Sequence, residues 1–190
     1  YHLMIEQLLS FSPDELNDEN RFTRDTLLWY FETAAACNQY ACFAEPLRPS
    51  SGMISQLPVL LSEYHFYTEE DVNAYFSLLE TIPSYLESTV SFEKERMTHG
   101  MILYSGWQEE MISLCQTLGK DSKEHILYLS MEERLEELAL SGEIPFSRAE
   151  INRILKKNRR LVSEVVLPAY RKLAKDLKQL PCSNSAPKGI

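Results

Sequence analysis

The histidines and the paired acidic residues are the groups in this sequence best suited to chemistry. The four histidines stand at positions 2, 65, 99 and 125, never three or four apart, so no helix presents two imidazoles to one metal ion. The sequence contains no H-E-x-x-H, G-x-S-x-G, Walker or G-x-G-x-x-G motif. Paired glutamates at 109–110, 132–133 and 136–137 are more typical of solvated helix faces than of an acid–base pair. The residues alone therefore indicate no reaction.

Two further groups each fit two interpretations. The basic run 153–160 (RILKKNRR) could bind phosphate, or it could be a solvent-facing helix surface that meets acidic helices; the second is favoured. The run Tyr64-His65-Phe66-Tyr67 could line a ligand groove, although a packed aromatic corner is favoured. We predict that Trp29 and Trp107 are core residues rather than stacking platforms.

Charge is divided unevenly along the 190 residues, whose net charge is -9. Residues 1–147 hold 8 Lys/Arg and 25 Asp/Glu (net -17), whereas residues 148–190 hold 11 and 3 (net +8). Because nucleic-acid binding needs a dominant basic face, no nucleic-acid partner is predicted. No stretch approaches the roughly 20 apolar residues of a membrane span, so none is predicted.

The four cysteines, at positions 37, 42, 115 and 182, include no C-x2-C pair of the kind found in zinc sites and redox motifs. Buried thiols are the favoured interpretation. Four cysteines in a chain of this length leave both the disulfide state and the compartment open.

Helix-start patterns dominate the chain. A Ser or Thr with an acid or Gln three residues later, the capping-box pattern, occurs five times: Ser12/Glu15, Thr68/Asp71, Ser105/Gln108, Ser130/Glu133 and Ser147/Glu150. Apolar residues recur with a 3.6-residue period, and no stretch alternates convincingly with period two. The fold class is therefore predicted to be all-α: an irregular helical array of about eight helices without a substantial sheet.

The periodicity predicts a second helix from about Asn20 to Glu45, with the irregular segment 46–58 after it. Shorter helices are predicted near 57–64, 69–81, 84–98, 106–118, 123–129 and 131–141. The longest helix should run from Ser147 to about Leu180, and Pro168 should kink it because proline removes a hydrogen bond and clashes with the preceding turn.

We predict one helical domain over residues 1–190, with an acidic body at 1–147, a long basic helix at 148–182 and a loop at 183–190. The basic helix should pack as a core helix because an apolar stripe runs along it. The chain begins inside an apolar helical pattern and stops in a small-residue loop. Both ends suggest a fragment of a longer protein.

Four stretches carry a family resemblance: the run from Leu28-Trp29-Tyr30 through Ala44–Gly52 (AEPLRPSSG), Gln56–Phe66 (QLPVLLSEYHF), Thr68–Leu86 with TEEDVNAY and LLETIPSYL, and Val166–Leu173 (VLPAYRKL). Their order and spacing resemble the bacterial domain-of-unknown-function family 885, in the form found in clostridia and relatives. The match covers nearly the whole chain but corresponds to the N-terminal part of that family. After Gly100 many members have a proline-containing turn that is missing here, which leaves this loop's geometry open.

The resemblance implies a mostly helical protein similar to zinc metallopeptidases. In the family, a downstream helix carries an H-E-x-x-x-x-H-type motif whose histidines would hold the metal while the glutamate activates water. None of those residues exists in this chain, so it is expected to contain no catalytic or metal-binding residues and no cofactor, with zinc in the full-length parent. The expected partners are the C-terminal part of the same protein and a peptide substrate. Many relatives resemble exported lipoproteins, which suggests a cell-surface parent.

In such peptidases the N-terminal helices commonly wall one side of a substrate groove. On that basis the predicted groove contacts are Arg48, Ser51, Gly52, Gln56, Tyr64 and His65, which lie in or after the one long loop. Arg48 could pair with a peptide carboxylate. The alternative is a non-enzymatic helical protein-interaction module that uses the long basic helix. A downstream H-E-x-x-x-x-H motif would distinguish the two.

Overall fold

The computed structural model describes residues 1–141 and 146–185. It is 77% helical with almost no strand, which confirms the all-α prediction. The chain forms two compact units, Tyr1–Ala44 and Glu45–Ile190. This boundary does not coincide with the change of net charge near residue 147. The last part of the predicted terminal loop, residues 186–190, lies outside the described residues.

The first unit consists of two helices, α1 (His2–Leu9) and α2 (Asp18–Cys37). Short 3-10 turns lie at Pro13–Glu15 and Asn38–Phe43. None of these four elements contains a buried residue. Trp29 is 67% exposed, so the prediction that it is a core residue is wrong. Two helices in about 40 residues enclose too little interior to bury a side chain of that size.

Side chains in this unit form hydrogen bonds with the free backbone groups at the helix ends. The Arg24 guanidinium donates from Nε to the carbonyl oxygens of Leu8 and Phe11, both at 3.1 Å, and so satisfies the end of α1. The start of α2 is capped by Asn17, whose side-chain oxygen accepts from the backbone N–H of Asn20 at 2.8 Å. The predicted cap at Ser12 is wrong, because Ser12 precedes only the 3-10 turn and makes no side-chain cap.

The described residues of the second unit form six helices and two short strands. In chain order these are α3 (Met53–Ser62), α4 (Glu69–Thr98), β1 (Leu103–Tyr104), α5 (Ser105–Leu118), α6 (Ile126–Ser141), α7 (Arg148–Leu161), α8 (Leu167–Gln179) and β2 (Cys182–Ser183). The strands pair in parallel, with Leu103 opposite Cys182. Buried apolar side chains from α3 to α8 form one core. Cys115 is buried in it, whereas Cys37 and Cys182 are exposed, so the prediction of buried thiols fails for those two.

Helix α4 continues through Pro83, where the sequence predicted a break between two helices. Proline removes one backbone hydrogen bond at this point. The neighbouring Ile82 and Leu86 are buried, and Leu86 lies with Ala169 and Leu173 of α8 around a small gap. Burial of these apolar side chains offsets the lost hydrogen bond, so the helix stays continuous.

The predicted long helix spans 32 residues, and its irregularity is one π-helical turn at Val162–Val166 between α7 and α8. In this wider turn the Leu167 N–H donates to the Val162 carbonyl oxygen. Pro168, which has no N–H to donate to the preceding turn, follows two residues after the π-helical turn. The apolar stripe is in the core, as predicted: Leu161, Val162, Val166, Leu167, Tyr170, Leu173 and Leu177 are all buried.

The basic run 153–160 contacts the acidic body. Arg159 Nη2 lies 3.1 Å from a Glu132 carboxylate oxygen, and its guanidinium stacks 5.3 Å from the Tyr128 ring centroid. Asn158, which interrupts the apolar stripe, is buried and donates from Nδ2 to the Leu127 carbonyl oxygen at 2.8 Å. These contacts agree with the interpretation of this run as a helix surface that meets acidic helices.

Two of the predicted capping boxes in this unit are present and two are not. Thr68/Asp71 and Ser147/Glu150 make both reciprocal hydrogen bonds. The Ser105 prediction is wrong, because the cap position is Tyr104 without a side-chain cap. Ser130 lies inside α6. In both wrong cases the serine lies within the helix rather than at its cap, so the pattern of residue types alone did not identify the cap position.

The buried hydroxyl of Tyr170 leads to a prediction. It has no hydrogen-bond partner among the described residues, and burial raises the pKa of Tyr170 strongly. Tyr170→Phe is therefore expected to leave the free energy of unfolding at pH 7 unchanged or to increase it by up to about 1 kcal/mol. Urea unfolding at pH 7 measures this effect, and a clear loss of stability would mean that the hydroxyl has a partner.

The same variant should change the alkaline limit of stability. Burial also raises the pKa of Cys115 from 9.0 to about 12 and that of Tyr75 from 10.0 to about 12. The unfolded chain loses these protons at a lower pH than the folded chain does. These groups therefore leave the free energy of unfolding unchanged below about pH 9 and lower it as the pH rises towards 12. Without its buried phenol, Tyr170→Phe should lose less stability than wild type between pH 9 and 11.

Candidate functional site

An open cavity of about 720 Å³ lies between helices α3 and α4 and is called here the α3–α4 cavity. Its walls are Met53, Leu57, Leu60 and Leu61 from α3, Tyr64 after it, and Leu78, Thr81, Ile82, Ser84, Tyr85 and Ser88 from α4. This volume lies within the roughly 300–1,000 Å³ range of small-molecule sites. The cavity is therefore large enough to bury a ligand or a bulky part of one.

The lining carries no charged side chain. Its three aliphatic hydroxyls are used within α4: Thr81, Ser84 and Ser88 donate to carbonyl oxygens three residues earlier at 2.7–2.8 Å. The Tyr85 phenol is protonated at neutral pH, and partial burial raises its pKa further above the ordinary value. The cavity consequently suits an uncharged, largely apolar group.

A side chain from another helix fixes the α3 wall. Arg134 of α6 donates to the carbonyl oxygen of Tyr64 and, at 3.3 Å, to that of Leu61. Its guanidinium lies 4.7 Å from the Phe66 ring centroid. The last turn of α3 contains no basic residue of its own, so Arg134 supplies the charge that its carbonyl end favours. Arg134 is thus a positioning residue for two of the cavity's lining residues.

Arg134 was not among the residues predicted to belong to a site. It stands alone among the glutamates at 132, 133, 136 and 137, where an exposed helix face was the natural interpretation. The available signal was that single positive charge in a strongly acidic helix, but nothing local indicates its partners 70 and 73 residues earlier in the chain.

The predicted aromatic corner at 64–67 is present only in part: Tyr64 and Phe66 pack together with Tyr75, whereas His65 and Tyr67 are exposed. Tyr64, Phe66 and Tyr75 have ring centroids 5.5–5.7 Å apart. Phe66 and Tyr75 are buried, while Tyr64 is half-buried and reaches the cavity. The corner packs as core and also supplies one lining ring.

The six predicted groove residues lie in several places. Tyr64 is the member that lines the α3–α4 cavity. Arg48 is exposed and stacks 5.4 Å from the ring centroid of Trp107, which packs against the core as predicted. Gln56 donates to the Ser50 carbonyl oxygen at 3.0 Å. Ser51 is exposed, and so is His65, which stacks on Tyr67 with centroids 6.0 Å apart.

The sixth residue, Gly52, has a packing role. Its backbone N–H donates to the Arg48 carbonyl oxygen at 2.7 Å, closing the turn that leads into α3. A Cβ at this position would lie 2.4 Å from the Pro46 carbonyl oxygen and 2.5 Å from that of Arg48. The turn therefore requires glycine because its own backbone occupies the space of a side chain.

We expect Gly52→Ala to lower the free energy of unfolding by about 1–3 kcal/mol, because the backbone must move to admit the methyl group. Thermal or urea unfolding measures the loss. Gly100 offers a matched control, since its φ of 79° favours glycine but nothing lies within 4 Å of a Cβ there. Gly100→Asn should cost less, because asparagine tolerates this conformation. Equal losses would contradict the steric explanation for Gly52.

His125 has a structural role. It is buried, its Nε2 lies 3.1 Å from the Leu118 carbonyl oxygen, and its Nδ1 accepts from the Leu127 N–H. Within residues 1–141 and 146–185, no three His, Cys, Asp or Glu side chains are placed to hold a metal ion. In the same described ranges, no helix is long and apolar enough to cross a membrane.

A family model matches the chain over nearly its whole length. The sequence profile described as "Bacterial protein of unknown function (DUF885)" matches residues 1–189. No curated protein and no solved structure matches the chain.

Proposed function

We propose that this chain, which belongs to the bacterial DUF885 family of proteins of unknown function, is the N-terminal helical lobe of a longer, zinc-dependent peptidase-like protein. In that protein it forms one wall of the substrate groove. The observation that carries the proposal is the α3–α4 cavity, which is uncharged, about 720 Å³ in volume and fixed by Arg134. An apolar cavity of this size suits the side chain of a bound peptide.

The described residues do not fit a zinc site, since no cluster of metal-ligating side chains occurs among them. The metal and the catalytic groups therefore belong, in this proposal, to residues elsewhere in the longer protein. The role of this chain is to bind and orient substrate, which lowers the barrier of a reaction carried out by other groups. Arg48 is retained in the proposal as an exposed cation that could pair with a peptide carboxylate.

The test uses the longer protein that contains this chain, with zinc content measured by metal analysis and peptide hydrolysis measured on a mixed peptide substrate. Ser84→Leu places a bulky side chain in the cavity, and Ser91→Leu makes the same change at an exposed position of α4 outside the lining. We expect Ser84→Leu to raise KM about tenfold with little change in kcat, because only binding is lost. Ser91→Leu should leave KM unchanged.

Three results would contradict the proposal. They are a protein without stoichiometric zinc, a zinc-loaded protein that hydrolyses no peptide, and equal KM values for the two leucine variants.

A further inference from the structure

A second, smaller groove lies between the first turns of α4 and helix α7 and is called here the α4–α7 groove. Its volume is about 210 Å³, below the roughly 300–1,000 Å³ of drug-sized ligand sites. Each wall is a helix stripe with the spacing i, i+3, i+4 and i+7: positions 69, 72, 73 and 76 of α4, and positions 150, 153, 154 and 157 of α7. None of these positions lines the α3–α4 cavity, so the groove is a separate candidate site for a small ligand.

Part of the α4–α7 groove is apolar and aromatic. Val72 and Phe76 on the α4 wall are buried. Ile154 on the α7 wall and Phe146, which precedes α7, are half-buried and pack against the core. Together they offer a surface on which one apolar side chain of a ligand can pack.

Four charged side chains line the same groove and are ordered along it. Lys157 Nζ lies 4.4 Å from the Phe76 ring centroid, so the later ends of the two stripes meet. Glu69 and Glu150 begin the stripes, two helical turns or about 10 Å earlier. Arg153 lies between, about 4.5 Å along α7 from Glu150. The groove is therefore negative at one end and positive from its middle to the other end.

These charges are accessible to a ligand. Glu69, Arg153 and Lys157 are exposed, and none of them forms an ion pair within the described part of the chain. Glu150 accepts from the Ser147 N–H at 2.7 Å and from its hydroxyl at 2.6 Å, in both cases through Oε2, so this cap does not use Oε1. The same bonds, with a smaller contribution from Arg153, hold the pKa of Glu150 below its ordinary value, so it is ionised at neutral pH.

We infer that the α4–α7 groove binds a dipeptide that has two free ends and an aromatic side chain. The carboxylate pairs with Arg153 and Lys157, the ammonium group faces Glu69 and Glu150, and the aromatic ring packs near Phe76. An extended chain spans about 3.5 Å per residue, so the charged ends of a dipeptide are about 7 Å apart. This length falls between the distances along α7 from Glu150 to the two cations. A single amino acid spans only half of it and leaves one end of the groove without a partner.

The experiment measures binding to the whole 190-residue chain by isothermal titration calorimetry. The probe is Ala-Phe, compared with N-acetyl-Ala-Phe, Ala-Phe amide, Ala-Ala and free phenylalanine. We expect Ala-Phe to bind about tenfold more tightly than each of the others, because each of them lacks one of the contacts at the ends or at the apolar part of the groove. Equal affinity for Ala-Phe and for either blocked form would overturn the inference, as would tighter binding of free phenylalanine or no saturable binding of Ala-Phe.

Variants at exposed positions test the residues. Arg153→Gln with Lys157→Gln should weaken Ala-Phe binding about tenfold and make it equal to that of the amide. Glu69→Gln should reduce the preference for Ala-Phe over its acetylated form about threefold. Glu70→Gln and Lys156→Gln, at neighbouring exposed positions outside the lining, are the matched controls and should change neither value. Unchanged Ala-Phe affinity in the double variant would also overturn the inference.

The inference goes beyond the proposed function and does not depend on it. Ser84→Leu, which fills the α3–α4 cavity, should leave Ala-Phe binding unchanged because the two sites share no lining residue. Loss of Ala-Phe binding in Ser84→Leu would place the dipeptide in the α3–α4 cavity and overturn the assignment to the α4–α7 groove. Dipeptide binding by a longer protein that contains no zinc would overturn only the peptidase proposal.

Discussion

Arg96→Met is expected to lower the free energy of unfolding at pH 7 by about 3–5 kcal/mol, the typical effect of leaving one partner of a buried ion pair behind. Glu93 is 0% exposed and Arg96 is 7% exposed. Arg96 Nη1 lies 3.0 and 2.8 Å from the two Glu93 carboxylate oxygens, one turn apart on α4. Methionine keeps most of the side-chain volume, so the loss reflects the isolated carboxylate rather than a cavity.

The loss should depend on pH. Burial raises the pKa of Glu93, Arg96 opposes that rise, and the carboxylate of Glu45 adds to it. Without Arg96 the pKa of Glu93 rises further in the folded chain. Protonation then relieves the buried charge as pH falls, so the destabilisation should be smaller at pH 5 than at pH 7.

Two comparisons make this prediction specific. A double variant, Glu93→Leu with Arg96→Met, should recover part of the loss, because it also removes the carboxylate that Arg96→Met leaves buried without its cation. Arg159→Met removes an exposed pair with Glu132 and should cost about 0–1 kcal/mol. Urea unfolding of the three variants at both pH values measures the set. A loss for Arg96→Met that is independent of pH would contradict the ionic explanation.

Arg134→Ala should cost about 3 kcal/mol, because it removes charge-assisted hydrogen bonds to the end of α3 and a guanidinium stacked on an aromatic ring. The variant should also loosen the cavity wall that Leu61 and Tyr64 form. Hydrogen exchange is expected to speed up at backbone amides of the last turn of α3 more than in α5.

Arg134→Lys is the informative companion. Lysine keeps the positive charge but lacks the planar guanidinium group, whose separate N–H donors reach two carbonyl oxygens at once. We expect it to recover less than half of the stability lost in Arg134→Ala. Full recovery would show that charge alone, rather than the two directed hydrogen bonds, holds the end of α3.

Two helix starts could be predicted from the sequence, whereas the end of α3 and the path of α4 could not. The capping boxes at Thr68 and Ser147 consist of residues three apart, so the sequence contains the whole interaction. The end of α3 depends on Arg134, and the continuity of α4 through Pro83 depends on packing against α8. Local patterns cannot report such contacts, because their partners are distant in the chain.

The residues of the candidate site were likewise only partly predictable from the sequence. The aromatic run drew attention to Tyr64, which does line the cavity. Leu57, Leu60 and Leu78 gave no such signal, because an apolar residue with helical spacing fits a core as well as a cavity wall. Trp29 was assigned to the core from its residue type alone, and only the structure shows that its unit has no interior to receive it.

The hydrogen bonds of Gln108 limit how early the second unit can finish folding while the chain is being synthesised. Its buried amide donates to the carbonyl oxygens of Leu177 and Leu180, at 2.7 and 2.8 Å, across 69 and 72 residues. A growing chain therefore contains α5 long before the groups that satisfy this amide exist. Until Leu180 has been synthesised, Gln108 must stay exposed to water or be buried without partners, which is unfavourable. The second unit should consequently finish folding late in synthesis, when the final turn of α8 packs against α5.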